Sequence, residues 1–383
     1  MSTQSSAPHP DEIRIVEDHE QTAHKLAIWF RYPGAWATII AHSKVRSFDK
    51  DQMWVVDTHA GAGLHGSREH PDGVRPGTPM LACYAARNVQ RRNPGVKVHV
   101  RAIDIRPEYV LKLRERVQPF IAAAGPDQVD VEVYGDDFAA RVPSILAETT
   151  PGQCRSLWFV DPYGVSEIPH KGLDPLRWPR YGPELVINLD VSGLWRVSAA
   201  GEAAINAEEI AARLDPNHIT ALDRTYGGSA WQEALHGFRP RRDSFDRFAQ
   251  LYADTFPNFE RRSIYRLRSS GNQVRYFVHL SHSATAEAAF AKTFRGTQNI
   301  GLFAGRSLSQ TQRSRFALAY SEMFHGSTSL VEDLYQAGPL QDRGQIKTVC
   351  RTADDEGYGK FDEPNKTMVW YEERLATQLT LLS

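Results

Sequence analysis

Five short apolar runs, at residues 53–57, 98–105, 129–134, 156–161 and 185–189, recur along the first half of the chain, with stretches of helical periodicity between them. Each run is too short for a helix, and short apolar runs spaced by helical stretches are what buried parallel strands look like. The intervening helices are expected at 80–92, 107–124 and 139–148, with a shorter one at 172–177. Repeated strand–helix units leave a doubly wound parallel sheet as the architecture, and such sheets bind ligands beyond the C-terminal ends of their strands.

The pattern changes after residue 190. Two strand-like runs, 263–268 and 274–281, are joined by Ser269-Ser270-Gly271-Asn272-Gln273 and preceded by helical stretches at 202–214 and 244–256. They read as an antiparallel hairpin that completes the sheet. Ahead of the first strand, residues 17–43 read as two short helices broken at Pro33-Gly34. The expected organisation is a helical N-terminal segment (1–50), an α/β domain (51–290) and a small α+β unit (291–383). In that last unit, helices at 329–338 and 343–356 precede a hairpin of 358–361 and 368–371 that turns at Glu363-Pro364-Asn365. Helix, helix, wing is a DNA-binding plan, while Asp354, Asp355, Glu356, Asp362 and Glu363 leave packing or protein docking equally open.

Composition narrows the class without naming a ligand. Of 383 residues, 24% are charged and 41% hydrophobic, and the net charge is -1, unlike a chain dedicated to coating nucleic acid. No run reaches the roughly 18 apolar residues of a membrane span, and residues 1–10 lack the features of a secretion signal, so a cytoplasmic protein is expected. Cys83, Cys154 and Cys350 form no metal-type pairing and read as reduced thiols, with no metal site.

The first strand ends in an acid and runs into a glycine turn, Asp57-Thr58-His59-Ala60-Gly61-Ala62-Gly63. Gly61 and Gly63 let the backbone approach a ligand, and a following helix N-terminus offers free amides. Gly61, Gly63 and Gly66 also satisfy the dinucleotide pattern G-x-G-x-x-G, a weak signal by itself. Asp57 decides between the two, because a carboxylate immediately before the turn repels a pyrophosphate and favours a cationic or neutral ligand. His59 lies in the same ligand loop. Asp104 ends the second strand, where it takes either the ligand's ribose or a cap on the helix that opens at Pro107. Its distance from Gly63 is roughly twice the usual spacing of about 20 residues, a surplus assigned to the polar loop 64–77. Asp136 and Asp137 end the third strand, where they either receive an adenine amino group, with Phe138 stacked on the ring, or cap the next helix.

The fourth strand ends in Asp161-Pro162-Tyr163-Gly164. This tetrapeptide resembles the Asp/Asn-Pro-Pro-aromatic motif of exocyclic-amine methyltransferases, and more closely the variant of tRNA guanine dimethyltransferases. The resemblance implies that Asp161 and a backbone carbonyl accept hydrogen bonds from a target amine while Tyr163 stacks on a flipped base. The second proline of the motif is absent, which leaves the substrate open; a plain turn is the alternative. Five parallel strands followed by a hairpin is also the strand plan of class I methyltransferases. Over residues 17–290 the chain is similar to the bacterial TcmP family, the three-Cys-motif partner proteins. The residues that carry the likeness are Thr22-Ala23-His24-Lys25, Trp36, the Asp57–Gly63 loop, Asp161-Pro162-Tyr163-Gly164 and the stretch 188–196. That resemblance implies a methyltransferase-like fold, S-adenosylmethionine as cofactor and a three-cysteine-motif partner protein. It also implies that Lys25 closes over cofactor or substrate, although a lysine on an amphipathic helix is ordinarily solvated, the reading preferred here.

Over residues 239–275 arginines outnumber acids and alternate with Phe245, Phe248, Tyr252, Phe256, Phe259 and Tyr265. Such a segment suits nucleic-acid contact, yet the aromatics have helical spacing and fit a core stripe equally well. Three functions stand: a methyltransferase acting on an exocyclic amine of nucleic acid, a catalytically silent binding partner in a two-protein system, and a dinucleotide-dependent oxidoreductase.

Overall fold

The computed structural model describes residues 20–43, 49–66, 74–149, 154–162, 170–177, 182–191, 215–229, 231–232, 243–267, 274–297, 310–324, 328–330 and 343–370. The expected helix at 202–214 lies outside them, as do Tyr163 and Gly164.

The strands are β1 (Gln52–Asp57), β2 (Leu64–Gly66), β3 (Val74–Pro76), β4 (Lys97–Ile103), β5 (Asp130–Tyr134), β6 (Arg155–Val160), β7 (Glu184–Asp190), β8 (Arg261–Leu267) and β9 (Arg275–Ser281). Seven of them form one sheet in the order β5-β4-β1-β6-β7-β9-β8. The five strands from β5 to β7 are parallel, and β9 and β8 close the edge as an antiparallel hairpin. Chain order reverses between β1 and β6, so the crevice expected to take a ligand opens above that pair.

Both faces of the sheet are covered. On one lie α1 (Glu20–Ala41), α2 (Thr78–Arg92), α3 (Pro107–Ile121) and the helix Ala284–Thr297, packed over Val55, Val100, Phe159, Val186 and Phe277. On the other lie α4 (Phe138–Thr149) and the helices Pro216–Tyr226 and Asp243–Asp254, packed over Val56, Ile103, Trp158 and Ile187. Burial on both faces is why β1 and β6 read as unbroken apolar runs, whereas β5, at the sheet edge, alternates and exposes Glu132.

Three expectations are corrected. The N-terminal segment is one continuous helix, α1, with Pro33 inside it. Proline removes one backbone bond and costs about 3 kcal/mol in a helix interior, but Trp29, Tyr32 and Trp36 are buried on both sides of it and outweigh that cost. The loop 64–77 is not wholly irregular: β2 and β3 pair antiparallel within it, and Gly77 N–H closes the base on Gly63 O at 2.8 Å. Ser329 and Leu330, expected in a helix, belong to the short strand Thr328–Leu330, which pairs with Thr367–Trp370; the rest of the expected helix, 331–338, lies outside the described residues. The helix Arg343–Asp355 and the hairpin of Gly359–Asp362 with Thr367–Trp370 form as expected.

α1 is not an appendage. Trp29 stacks on Phe159 of β6 with ring centroids 4.2 Å apart. At the far end of the sheet the Tyr32 hydroxyl donates to Glu184, which also contacts His279 Nε2 at 2.8 Å and accepts from Ser281 Oγ at 3.2 Å. The opposite face of α1 packs Leu26, Ala27 and Phe30 against Phe316, Tyr320, Ile346 and Met368 of the C-terminal unit. Trp29→Ala should therefore lower stability by about 3–5 kcal/mol, the range for deleting a buried aromatic, measured by denaturant unfolding. A loss below about 1 kcal/mol would mark α1 as peripheral.

Candidate functional site

The register places the polar residues. Asp57 of β1 lies beside Phe159 of β6, which lies beside Val186 of β7; Phe159 and Val186 face α1. Side chains alternate along a strand, so two residues further on Asp161 and Asn188 project to the same face. On α1 the same step is one turn: Lys25 stands four residues before Trp29. A helical turn of about 5.4 Å matches two strand residues of about 3.3 Å each. The Trp29–Phe159 stack below therefore sets the Lys25–Asp161 pair above it, with Lys25 Nζ donating to Asp161 Oδ2 at 2.6 Å. Asn188 Nδ2 donates to Asp161 Oδ1 at 2.7 Å.

Lys25 is thus not a solvated lysine. It is 9% exposed, and its ammonium is committed to Asp161. Burial opposes ionisation of Asp161, but the Lys25 charge, the hydrogen bonds from Asn188 and Lys25 and the Arg275 charge outweigh it and hold the carboxyl below its usual range.

Asp57 is fully buried at the end of β1. Oδ1 accepts from His59 N–H at 3.1 Å, while Oδ2 has no donor in hydrogen-bond geometry. Burial pushes its pKa up to about 7; the Thr78 hydroxyl and the His59 amide oppose the rise, the Asp161 charge adds to it and Lys25 again opposes it. The two carboxyls at the switch point are thereby driven apart, one firmly ionised and one half-protonated near neutrality.

The glycine turn comes next. Gly61 and Gly63 have φ of 62° and 80°, in the left-handed region, and a Cβ on Gly63 would stand 2.7 Å from Leu113 Cδ1. Gly77 ends the hairpin and caps α2 at its N-terminus; a Cβ there would stand 2.9 Å from the Gly63 carbonyl carbon. The hairpin thus returns the start of α2 to the turn. Gly66 sits in β2, away from any helix start, so the dinucleotide spacing does not describe this loop. The His59 ring tilts against Phe138 at 5.1 Å between centroids, and His59 Nδ1 meets the Thr58 hydroxyl at 2.7 Å.

Asp104, 4% exposed, bridges the turn and the second strand: Oδ2 accepts from Gly61 N–H at 2.8 Å, Oδ1 from Arg106 N–H at 2.9 Å, and the Arg106 guanidinium donates to both oxygens at 3.0 Å. It is not the cap of α3, whose N-cap residue is Arg106, without a side-chain cap bond. Asp136 pairs with Arg141. Asp137 takes the capping role, accepting from Ala139 N–H at 2.8 Å at the start of α4. Phe138 is 5% exposed, packed in the core with Val142 and Leu173 and not presented to a ligand ring. Pro162 is buried behind Asp161.

No protein-family description and no curated protein matches the chain. Among solved structures it is similar to the methyltransferase domain of bacterial CtHen1-CN, at 8% identity over 64% of this chain and 97% of that one, with a TM-score of 0.28. An rRNA methylase from Streptococcus thermophilus matches at 14% identity, 70% and 98% coverage and a TM-score of 0.27. A SAM-dependent methyltransferase from Anabaena variabilis matches at 12% identity, 71% and 100% coverage and a TM-score of 0.28. At that level of likeness they carry no weight for function, and the fold rests on strand order and register.

Asn188, Arg106 and Thr78 join the residues expected at the site; the sequence marks Asn188 only as the first residue of the stretch 188–196 that carries the family resemblance, though it also stands as an amide inside the apolar run 185–189. The Arg–aromatic segment resolves toward core: Phe248, Tyr252, Phe256 and Phe259 are buried beneath the sheet. Arg261 and Arg262 are exposed on the edge strand β8; Arg239, Arg241, Arg242 and Arg268 lie outside the described residues.

A carboxyl whose pKa is raised on folding, from 3.8 to about 7, favours the folded state most at low pH and withdraws that support as pH rises through this interval. Asp57→Asn lacks the titration. Its stability relative to the parent should therefore climb between about pH 4 and pH 7, by on the order of 4 kcal/mol. Denaturant midpoints across that range check it, and a pH-independent difference would contradict it.

Proposed function

We propose that the chain is an S-adenosylmethionine-dependent methyltransferase of the TcmP type, acting on an exocyclic amine of a nucleic-acid base. The observation that carries the reading is Asp57, a buried carboxyl with the Thr78 hydroxyl nearby but no donor in hydrogen-bond geometry on Oδ2, set between the glycine turn and the Asp161 cluster at the switch point of the β5-β4-β1-β6-β7-β9-β8 sheet. A cationic ligand fits it. An ammonium or sulfonium supplies the charge that makes ionisation of Asp57 favourable, whereas a pyrophosphate meets a second negative charge.

S-adenosylmethionine supplies, when bound, an electrophilic methyl group on a sulfonium. Asp57, Gly61 and Gly63 would hold its charged end and Asp104 its ribose. Asp104 already receives Gly61 and Arg106, so a ribose hydroxyl must exchange with the half-exposed guanidinium. Ile105, 63% exposed, offers apolar surface beside it for a base. The Asp161 cluster, one strand over, orients the target amine by accepting its N–H hydrogens, which is positioning catalysis.

The free protein should bind S-adenosylmethionine and S-adenosylhomocysteine in preference to NAD by calorimetry, and should move tritium from labelled cofactor to total tRNA, rRNA or DNA. Asp104→Ala should weaken cofactor binding by about 1–3 kcal/mol, the range for removing a partner from a buried hydrogen bond. Tight NAD binding with no response to the other two ligands would end the reading.

A further inference from the structure

Methyl transfer to an amine, the reaction on which any role for Asn188 rests, leaves open which atom of the protein meets the target. Asp161 is acceptor-only when ionised, and Lys25 keeps it so. The Asn188 side-chain amide must then present its NH2 group to Asp161, which fixes the amide plane and turns Oδ1 away. That oxygen is buried, on a residue only 2% exposed, and has no hydrogen-bond donor. An amide in such a place ordinarily flips to satisfy both ends; this one cannot, because a flip would set its oxygen against a carboxylate. Buried carbonyls without a donor are rare, because the hydrogen bonds they lose to water go uncompensated. A preorganised acceptor of this kind matches a ligand that brings the donor.

Its place across the sheet says which ligand. Asp104 and Asp57, on β4 and β1, lie on the side assigned to the cofactor. Asn188 is two strands from Asp57, on β7, with Asp161 of the β6 end between them and Arg275, on β9, beyond. We propose that Asn188 Oδ1 accepts the hydrogen bond from the target amine, and that Lys25 and Asp161 are positioning residues, a relay in which ammonium orients carboxylate and carboxylate orients amide. The bond holds the nitrogen lone pair toward the methyl carbon; as the N–C bond forms the S–C bond would break, S-adenosylhomocysteine would leave, and the proton shed by the methylated nitrogen would pass to water, not to Asn188.

The test uses the full chain and the substitution Asn188→Leu, which is similar in size and removes the acceptor, with Asn188→Ala as second variant if the first does not fold by melting curve. Calorimetry with S-adenosylhomocysteine should show cofactor affinity within a few-fold of the parent, while tritium transfer to the nucleic acid fraction that the parent labels falls on the order of 100-fold. With S-adenosylhomocysteine present, the parent should bind single-stranded oligonucleotides of adenosine or cytidine more tightly than matched ones of inosine or uridine, and Asn188→Leu should lose that difference. Loss of S-adenosylhomocysteine binding in a folded variant would give Asn188 to the cofactor and overturn the assignment, as would a variant that transfers at the parent rate or keeps the parent's discrimination. A parent that binds no S-adenosylhomocysteine overturns the methyltransferase reading, and the assignment with it.

Discussion

An ammonium seated on a largely enclosed carboxylate, Lys25 on Asp161, with side chains 11% and 10% exposed, joins the N-terminal helix to the end of the fourth parallel strand. Taking both charges out of water costs several kcal/mol per ion, and their attraction recovers this only when geometry is good and the remaining lone pairs are filled. Here the Trp29–Phe159 stack one turn below sets the distance, and Asn188 supplies the second hydrogen bond. Removing either partner would strand the other charge, so the helix, the strand end and the site hold one another in register.

The same pair explains why two carboxyls so near each other behave differently. Like charges at the switch point cannot both ionise without compensation. Lys25 gives its full contact to Asp161 and only its more distant field to Asp57, where burial outweighs the Thr78 hydroxyl and the His59 amide and raises the carboxyl to about 7. A carboxyl in that condition gains most from a ligand that carries positive charge. The glycine turn beside it is closed from behind, where Gly77 touches Gly63 without room for a side chain, and this close approach returns α2 to the ligand side after the hairpin. The Cys83 thiol, pushed far up by burial, and that of Cys350, pushed up to about 12, are packing groups in two different apolar clusters.

The sheet was legible because its central strands β1, β6 and β7 are buried on both faces, which writes them as mainly apolar runs, and because acids punctuate strand ends at Asp57, Asp104 and Asp161. Adjacency of Asp57 and Asp161 followed from topology alone. Partnerships across the chain did not: Lys25 and Asp161 are 136 residues apart, and no local pattern distinguishes a lysine that will be buried from one that will be solvated. Asn188 could be noticed as polar within an apolar strand, but its role depends on a register against β6 that composition does not encode. Pro33 misled for the opposite reason, since its local cost is real and only tertiary burial of Trp29, Tyr32 and Trp36 overrides it. Asp137 and Phe138 resolved to cap and core, the ordinary uses of those residue types at a helix start.

Lys25 sets the two carboxyls at the switch point apart, and carbon-13 NMR of protein labelled at aspartate carboxyls reads both titrations in one experiment. Asp57→Asn and Asp161→Asn assign the two signals. In the parent, one carboxyl should titrate at about 7 and the other stay ionised below the usual aspartate range; Lys25→Met should move the second upward, and S-adenosylmethionine should draw the first into its ionised form. Two carboxyls titrating together near the ordinary value of about 4, indifferent to Lys25→Met, would contradict the account.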